Sequence, residues 1–97
     1  MENLTMKNTD DEIILVDDSG EQLGEISFNP IREGSVWVVT HTGVSPKLRG
    51  RGIAGKLLDA LVERAEGEDV KLKALCPYVV KKFQEEPDNY DHINADK

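Results

Sequence analysis

The sequence has one cysteine, Cys76, so an internal disulfide and a cysteine-rich zinc site are both excluded. Histidine is as scarce. His41 and His92 lie far apart in the chain, and no metal site is expected. No apolar run approaches the ~20 residues that span a bilayer. The first residues, Met1 to Thr5, lack the basic and apolar regions of a secretory signal, so a cytoplasmic location is expected. Cations are the minority charge, with 12 Lys and Arg against 19 Asp and Glu. A net charge of −7 repels phosphate backbones and anionic lipid surfaces, so neither nucleic acid nor membrane is expected as a partner. At 97 residues one domain with a modest core is expected, with the core over about residues 12–86 between polar termini.

The charge is unevenly placed. Between Gly34 and Leu58 there is no Asp or Glu, while Lys47, Arg49, Arg51 and Lys56 give +4 and leave −11 elsewhere. A basic window in an acidic chain is either a solvated patch or an anion site. Its glycines favour the second.

The pattern before this window is that of strands. Ile13–Val16 is a β-branched run, Asp17-Asp18-Ser19-Gly20 is a turn, and Leu23, Ile26 and Phe28 belong to a second strand. Val36–Thr42 carries the strongest strand signal. These make a three-strand antiparallel meander, with residues 1–11 frayed. Beyond Gly52 the period changes. Ile53, Leu57, Leu58, Leu61, Val62 and Ala65 form one apolar stripe on a helix of about four turns. Gly67 is expected to stop it. Val70, Leu72 and Ala74 then alternate with Lys71 and Lys73 as a strand, parallel to the last one across the helix. Pro77 opens a short helix through Val79, Val80 and Phe83 that ends at Glu86-Pro87, and the remaining tail is polar. The lysines 71, 73, 81 and 82 are read as a solvated face.

Arg49-Gly50-Arg51-Gly52-Ile53-Ala54-Gly55-Lys56 sits between the strong strand and the amphipathic helix. The first N–H groups of a helix lack internal partners, and the helix dipole is positive there. Glycines let an anion approach them, and Arg49 and Arg51 add charge at the rim, so the segment is a phosphate cradle. Gly50-x-Gly52-x-x-Gly55 matches the dinucleotide fingerprint literally. However, Ser45–Arg49 separates it from its strand, and the next strand ends at Leu75-Cys76-Pro77 without an acid to hold a ribose. A mononucleotide P-loop would need a Gly-Lys-Ser/Thr triplet, which is missing.

Val44 to Leu58 resembles motif A of the GNAT acetyltransferase superfamily, Arg/Gln-x-x-Gly-x-Gly/Ala, here filled by Arg49, Gly52 and Ala54. Cys76-Pro77-Tyr78 is similar to the segment after the parallel strand in short GNAT-like proteins. The resemblance implies a minimal α/β (α+β) GNAT-like fold with a cofactor cleft between two splayed parallel strands. It implies acetyl-coenzyme A as the cofactor, its pantetheine pairing with Trp37–Val44, with Thr42, Gly43 and Val44 closest to the loop. The pyrophosphate would lie on the amides of Arg49 to Ala54, and the thioester near Cys76. Larger relatives have two helices after the first strand, where this chain has only Asp17–Gly20. They often carry a last-helix tyrosine as general acid, where this chain has Phe83.

Three residues are candidates for chemistry, each with a plainer reading beside it. Cys76 is a packed apolar residue, or a thiol whose pKa is lowered by the next helix and nearby lysines and which takes or guides the acetyl group. His41 is a satisfied strand histidine, or a base for an amine. Tyr78 is a packed ring, or a donor to the thioester region. The expected activity is acetyl transfer to an amine, directly or through the cysteine. The competing expectation is a non-catalytic acyl-coenzyme A binding module or interaction domain. The acceptor, a small amine or a protein amine, is open, and a monomer or weak homodimer is expected.

Overall fold

The N-terminal half folds as a meander because its apolar residues alternate and its turns are built from Asp, Ser and Gly. The structure, a computed structural model, describes residues 4–48 and 50–96. Its five strands, β1 (Thr5–Asn8), β2 (Glu12–Val16), β3 (Gln22–Ile31), β4 (Val36–Val44) and β5 (Lys71–Ala74), lie in one sheet in that order. The first four pair antiparallel and β5 joins β4 parallel. The β2–β3 turn is held by the Asp17 carboxylate, which accepts from the Ser19 and Glu21 amides and the Ser19 hydroxyl.

Strand β1 is one more than the expected three, and it falls in the segment read as frayed. Its side chains are mostly exposed, so it shows no alternation. An edge strand needs only its backbone, which pairs from Thr5↔Val16 to Asn8↔Ile13.

Helix α1 (Ile53–Gly67) crosses from β4 to β5 and buries the six stripe residues, Ile53 through Ala65. Burial of each large aliphatic side chain contributes about 1.5–3 kcal/mol. The helix lies on the sheet face of Ile13, Ile26, Phe28, Val39 and Leu72, all within the main core. Trp37 is core as expected, stacked on Phe28 with centroids 4.6 Å apart, and the Arg64 guanidinium lies over both rings. The helix does not stop on Gly67 as a left-handed residue. Asp69 takes that conformation at φ 57°, the Val70 amide returns to the Ala65 carbonyl, and the Asp69 amide to Glu66. This is a Schellman end in which aspartate stands where glycine is usual.

Helices α2 (Pro77–Glu85) and α3 (Pro87–Tyr90) pack beside α1. The tail is not merely polar. Tyr90 and Ile93 are buried, the Tyr90 hydroxyl donates to the Asp59 carboxylate at 3.2 Å, and Asn94 bridges Leu72 on the free edge of β5. Burial, then Asp59, pushes the Tyr90 hydroxyl up to about 12. Two lysines of the expected solvated face serve this tail. Lys71 donates to the His92 carbonyl, and Lys73 pairs with Asp96 at 2.9 Å.

Candidate functional site

Strands β4 and β5 stay paired only from Val36↔Lys71 to Val39↔Ala74. Beyond that point they part. The Val39 carbonyl accepts from the amides of both Leu75 and Cys76, at 3.1 and 3.0 Å, which turns the chain away from β4. On the other edge of β4 the register slips, with Ser27 opposite His41 and Phe28 opposite Val39, so Thr40 is an unopposed bulge residue. A bulge re-aims the strand that carries it. The rest of β4, Thr40 to Val44, therefore has no strand partner on the β5 side among the described residues. Along that edge the Thr42 amide faces the Cys76 sulfur, and Gly43 and Val44 follow toward the loop.

The loop after β4 is fixed at its base. The Ser45 amide donates to the Leu23 carbonyl at 2.7 Å, a 3-10 turn runs from Pro46 to Leu48, and Leu48 is buried as its anchor. Gly50 and Gly52 have φ of 84° and 69°, a region that residues with a Cβ rarely occupy. An ideal Cβ on either meets nothing within 4 Å, so both face open space. Gly52 is the N-cap of α1, and no described side chain caps that end. Among the described residues, the amides of Ile53, Ala54 and Gly55 thus have neither an intrahelical nor a side-chain partner.

These groups line a cleft of about 290 Å³ with Val44, Ser45, Leu48 and Tyr78. A methyl on Gly55 would lie 3.5 Å from the Tyr78 hydroxyl, which places that ring over the first turn of α1. Arg51 and Lys56 are exposed and lie outside the lining; Arg49 falls outside the described residues. A larger hollow of about 600 Å³ along the C-terminal half of α1, bordered by Met6, Asn8, Ala60 and Arg64, contains none of the loop.

Cys76 stands across the gap from β4. Its sulfur is 3.5 Å from the Thr42 hydroxyl, and it is the N-cap of α2, with Pro77 in the first turn. Burial pushes the Cys76 thiol up. The Thr42 hydroxyl and the Val79 and Tyr78 amides outweigh that, and the thiol titrates below its ordinary value. The depression comes chiefly from these neighbours rather than from the lysines invoked from sequence. Burial pushes the Tyr78 hydroxyl up, Lys82 draws it back in part, and Asp59 and Glu86 raise it further, so it remains a donor at neutral pH.

The structure thus brings together Val44, Gly50 and Gly52–Gly55 with Tyr78, and Thr42 with Cys76. His41 is set apart, because it points to the other face of the sheet, with Nε2 3.1 Å from Glu25 Oε1. Glu25, Ser45 and Leu48 were not found from sequence. Glu25 meets His41 only through strand register, 16 residues away, and no local motif signals it.

The chain's likenesses agree with this geometry. The sequence model of the GCN5-related N-acetyltransferase family matches residues 13–93. The solution structure of a GCN5-like protein from Staphylococcus aureus is 33% identical at a TM-score of 0.73, covering 97% of this chain and 90% of that one. A ribosomal-protein-alanine N-acetyltransferase from Brucella melitensis is 27% identical at a TM-score of 0.58, covering 80% of this chain and 64% of its own. The fold is shared by YhbS of Escherichia coli, solved in complex with CoA, at 20% identity and a TM-score of 0.63; this chain covers 43% of it. No curated protein matches. A family match over most of the length, on a sheet that opens beside a glycine loop, places the chain in the GCN5-related N-acetyltransferase family.

Proposed function

We propose that the chain binds acetyl-coenzyme A in the cleft at the start of α1 and transfers its acetyl group to an amine. The observation that carries this reading is the continuity of donors from loop to gap. The amides of Gly52 and Ile53–Gly55 lead to the edge of Thr42–Val44 that β5 does not pair, and that edge ends at the Thr42–Cys76 contact. The residues present fit the cofactor, since Gly50 and Gly52 leave free space where any Cβ would intrude. When bound, acetyl-coenzyme A supplies an acetyl group already activated as a thioester.

The chain's own residues then divide the work. The amides of Gly50, Gly52, Ile53, Ala54 and Gly55 hold the pyrophosphate, with Arg49, Arg51 and Lys56 as surrounding positive charge. The edge of Thr42, Gly43 and Val44 pairs with the amides of the pantetheine. Cys76 takes or guides the acetyl group, and its lowered pKa supports that role. Tyr78, kept protonated, is the proton donor beside it. His41 accepts a proton from the incoming amine.

A second reading has one observation in its favour. The tight turn at Asp17–Gly20 leaves the acceptor side without an enclosing helix, as suits a module that binds the thioester without turnover. Intact mass and free-thiol release after incubation with acetyl-coenzyme A separate the two. Acetylated Cys76 or free coenzyme A is the result expected of a transferase, while saturable binding without either overturns transfer and leaves binding.

A further inference from the structure

The sheet has two unlike faces. One is closed by the helices. On the other, Glu12, Glu25, Ser27 and His41 form a polar row across three strands. Their register pairs Glu12 with Ser27 and Ser27 with His41, and sets Glu25 opposite Gly43. Two links join the row: the Ser27 hydroxyl donates to Glu12 at 3.0 Å, and His41 Nε2 meets Glu25 Oε1 at 3.1 Å. A carboxylate only accepts, so the His41 nitrogen that faces it carries the hydrogen, and Nδ1 is left as the ring's acceptor.

Gly43 is part of this arrangement. A Cβ there would lie 2.6 Å from Glu25 Oε1, a distance that forces the carboxylate to move, and 3.0 Å from His41 Nε2, a tight contact. The missing side chain is the room in which the pair sits. His41 also has a defined place on the chain. It follows the bulge residue Thr40 and precedes Thr42, whose hydroxyl touches Cys76 at the gap. The His41 side chain is 62% exposed and that of Glu25 25%, so the ring is reachable while its anchor is largely covered.

We propose that Glu25 is a positioning residue for His41, in a pocket that requires glycine at position 43, and that the acceptor is a primary ammonium arriving from the helix-free face of the sheet. The proposal rests on the reading of the chain as an acetyltransferase. His41 Nδ1 takes one proton from R–NH3+, which leaves R–NH2 with its lone pair and an imidazolium balanced by the Glu25 carboxylate. As the nitrogen–acetyl bond forms and the carbon–sulfur bond breaks, the nitrogen's second proton leaves with the thiol product. The imidazolium then returns its proton to solvent.

The test uses the full chain, Glu25→Gln and Gly43→Ala, with Nα-acetyl-lysine amide as the probe amine. Glu25→Gln keeps shape on an exposed face. Gly43→Ala displaces the free end of the Glu25 side chain rather than the backbone, so both variants should melt near the parent temperature. Long-range nitrogen–proton NMR of the His41 ring should show a single Nε2–H tautomer in the parent and a mixture in both variants. The kcat should fall about tenfold in each, within the ~100-fold or more that a general base supplies, and in Glu25→Gln the KM for acetyl-coenzyme A should be unchanged. An Nδ1–H tautomer in the parent, or unaltered kcat in both variants, overturns the positioning role and leaves acetyl transfer standing. A parent that binds coenzyme A but never acetylates the probe overturns the transfer reading, and this proposal with it.

Discussion

The Thr42 hydroxyl lies 3.5 Å from the Cys76 sulfur, and this contact spans the gap between β4 and the end of β5. The thiol donates when neutral, and the hydroxyl donates in turn when the sulfur is ionised. Thr42 therefore favours the thiolate, together with the amides that open α2.

The first prediction follows from that contact. A lowered pKa means that the thiolate fraction appears at lower pH than for a free cysteine. The rate of Cys76 alkylation by iodoacetamide should rise with pH earlier than that of a peptide thiol. In Thr42→Val the midpoint should move to higher pH, because burial remains and one donor is gone. An unmoved midpoint would show that Thr42 does not stabilise the thiolate.

Gly55 separates the needs of the fold from those of the cleft. It sits inside the first turn of α1, and a methyl there meets only the Tyr78 hydroxyl at an ordinary 3.5 Å. Gly55→Ala should stabilise the helix by roughly 0.5–1 kcal/mol in urea unfolding. The same methyl occupies the cleft wall, so coenzyme A affinity should fall in titration calorimetry. A rise in both would place the ligand elsewhere.

The tail is predicted to matter for stability rather than for binding. Ile93 is 2% exposed and joins the core behind β5. Ile93→Ala should lose about 2–5 kcal/mol of unfolding free energy. Coenzyme A affinity of the folded fraction should not change. A loss near zero would mean that the tail only rests on the core.

Most of the architecture was legible because it rests on local period and composition. The stripe from Ile53 to Ala65 is buried as its spacing dictates, and Val36–Val44 is the strand its β-branched run announces. Most of what escaped the sequence depends on partners distant in the chain. Thr5–Asn8 is a strand only because β2 offers an edge. Ile93 and Asn94 are ordered by Leu72, far upstream. Asp69 rather than Gly67 ends α1, since aspartate tolerates the left-handed conformation that glycine usually supplies. Within the site, the glycine loop could be read from its residues. The Glu25–His41 pair could not, because it exists only once β3 and β4 are in register.

The central claim is that coenzyme A sits on the amides at the start of α1 and along the free edge of β4. A coenzyme A titration followed by amide NMR tests it most directly. Saturable shifts should concentrate at Gly50, Gly52, Ala54, Gly55 and Thr42–Val44. Stability should rise with ligand, by about 2.7 kcal/mol at a hundredfold excess over the dissociation constant. Unmoved resonances at millimolar coenzyme A, or shifts confined to the hollow beside Met6 and Arg64, would contradict it.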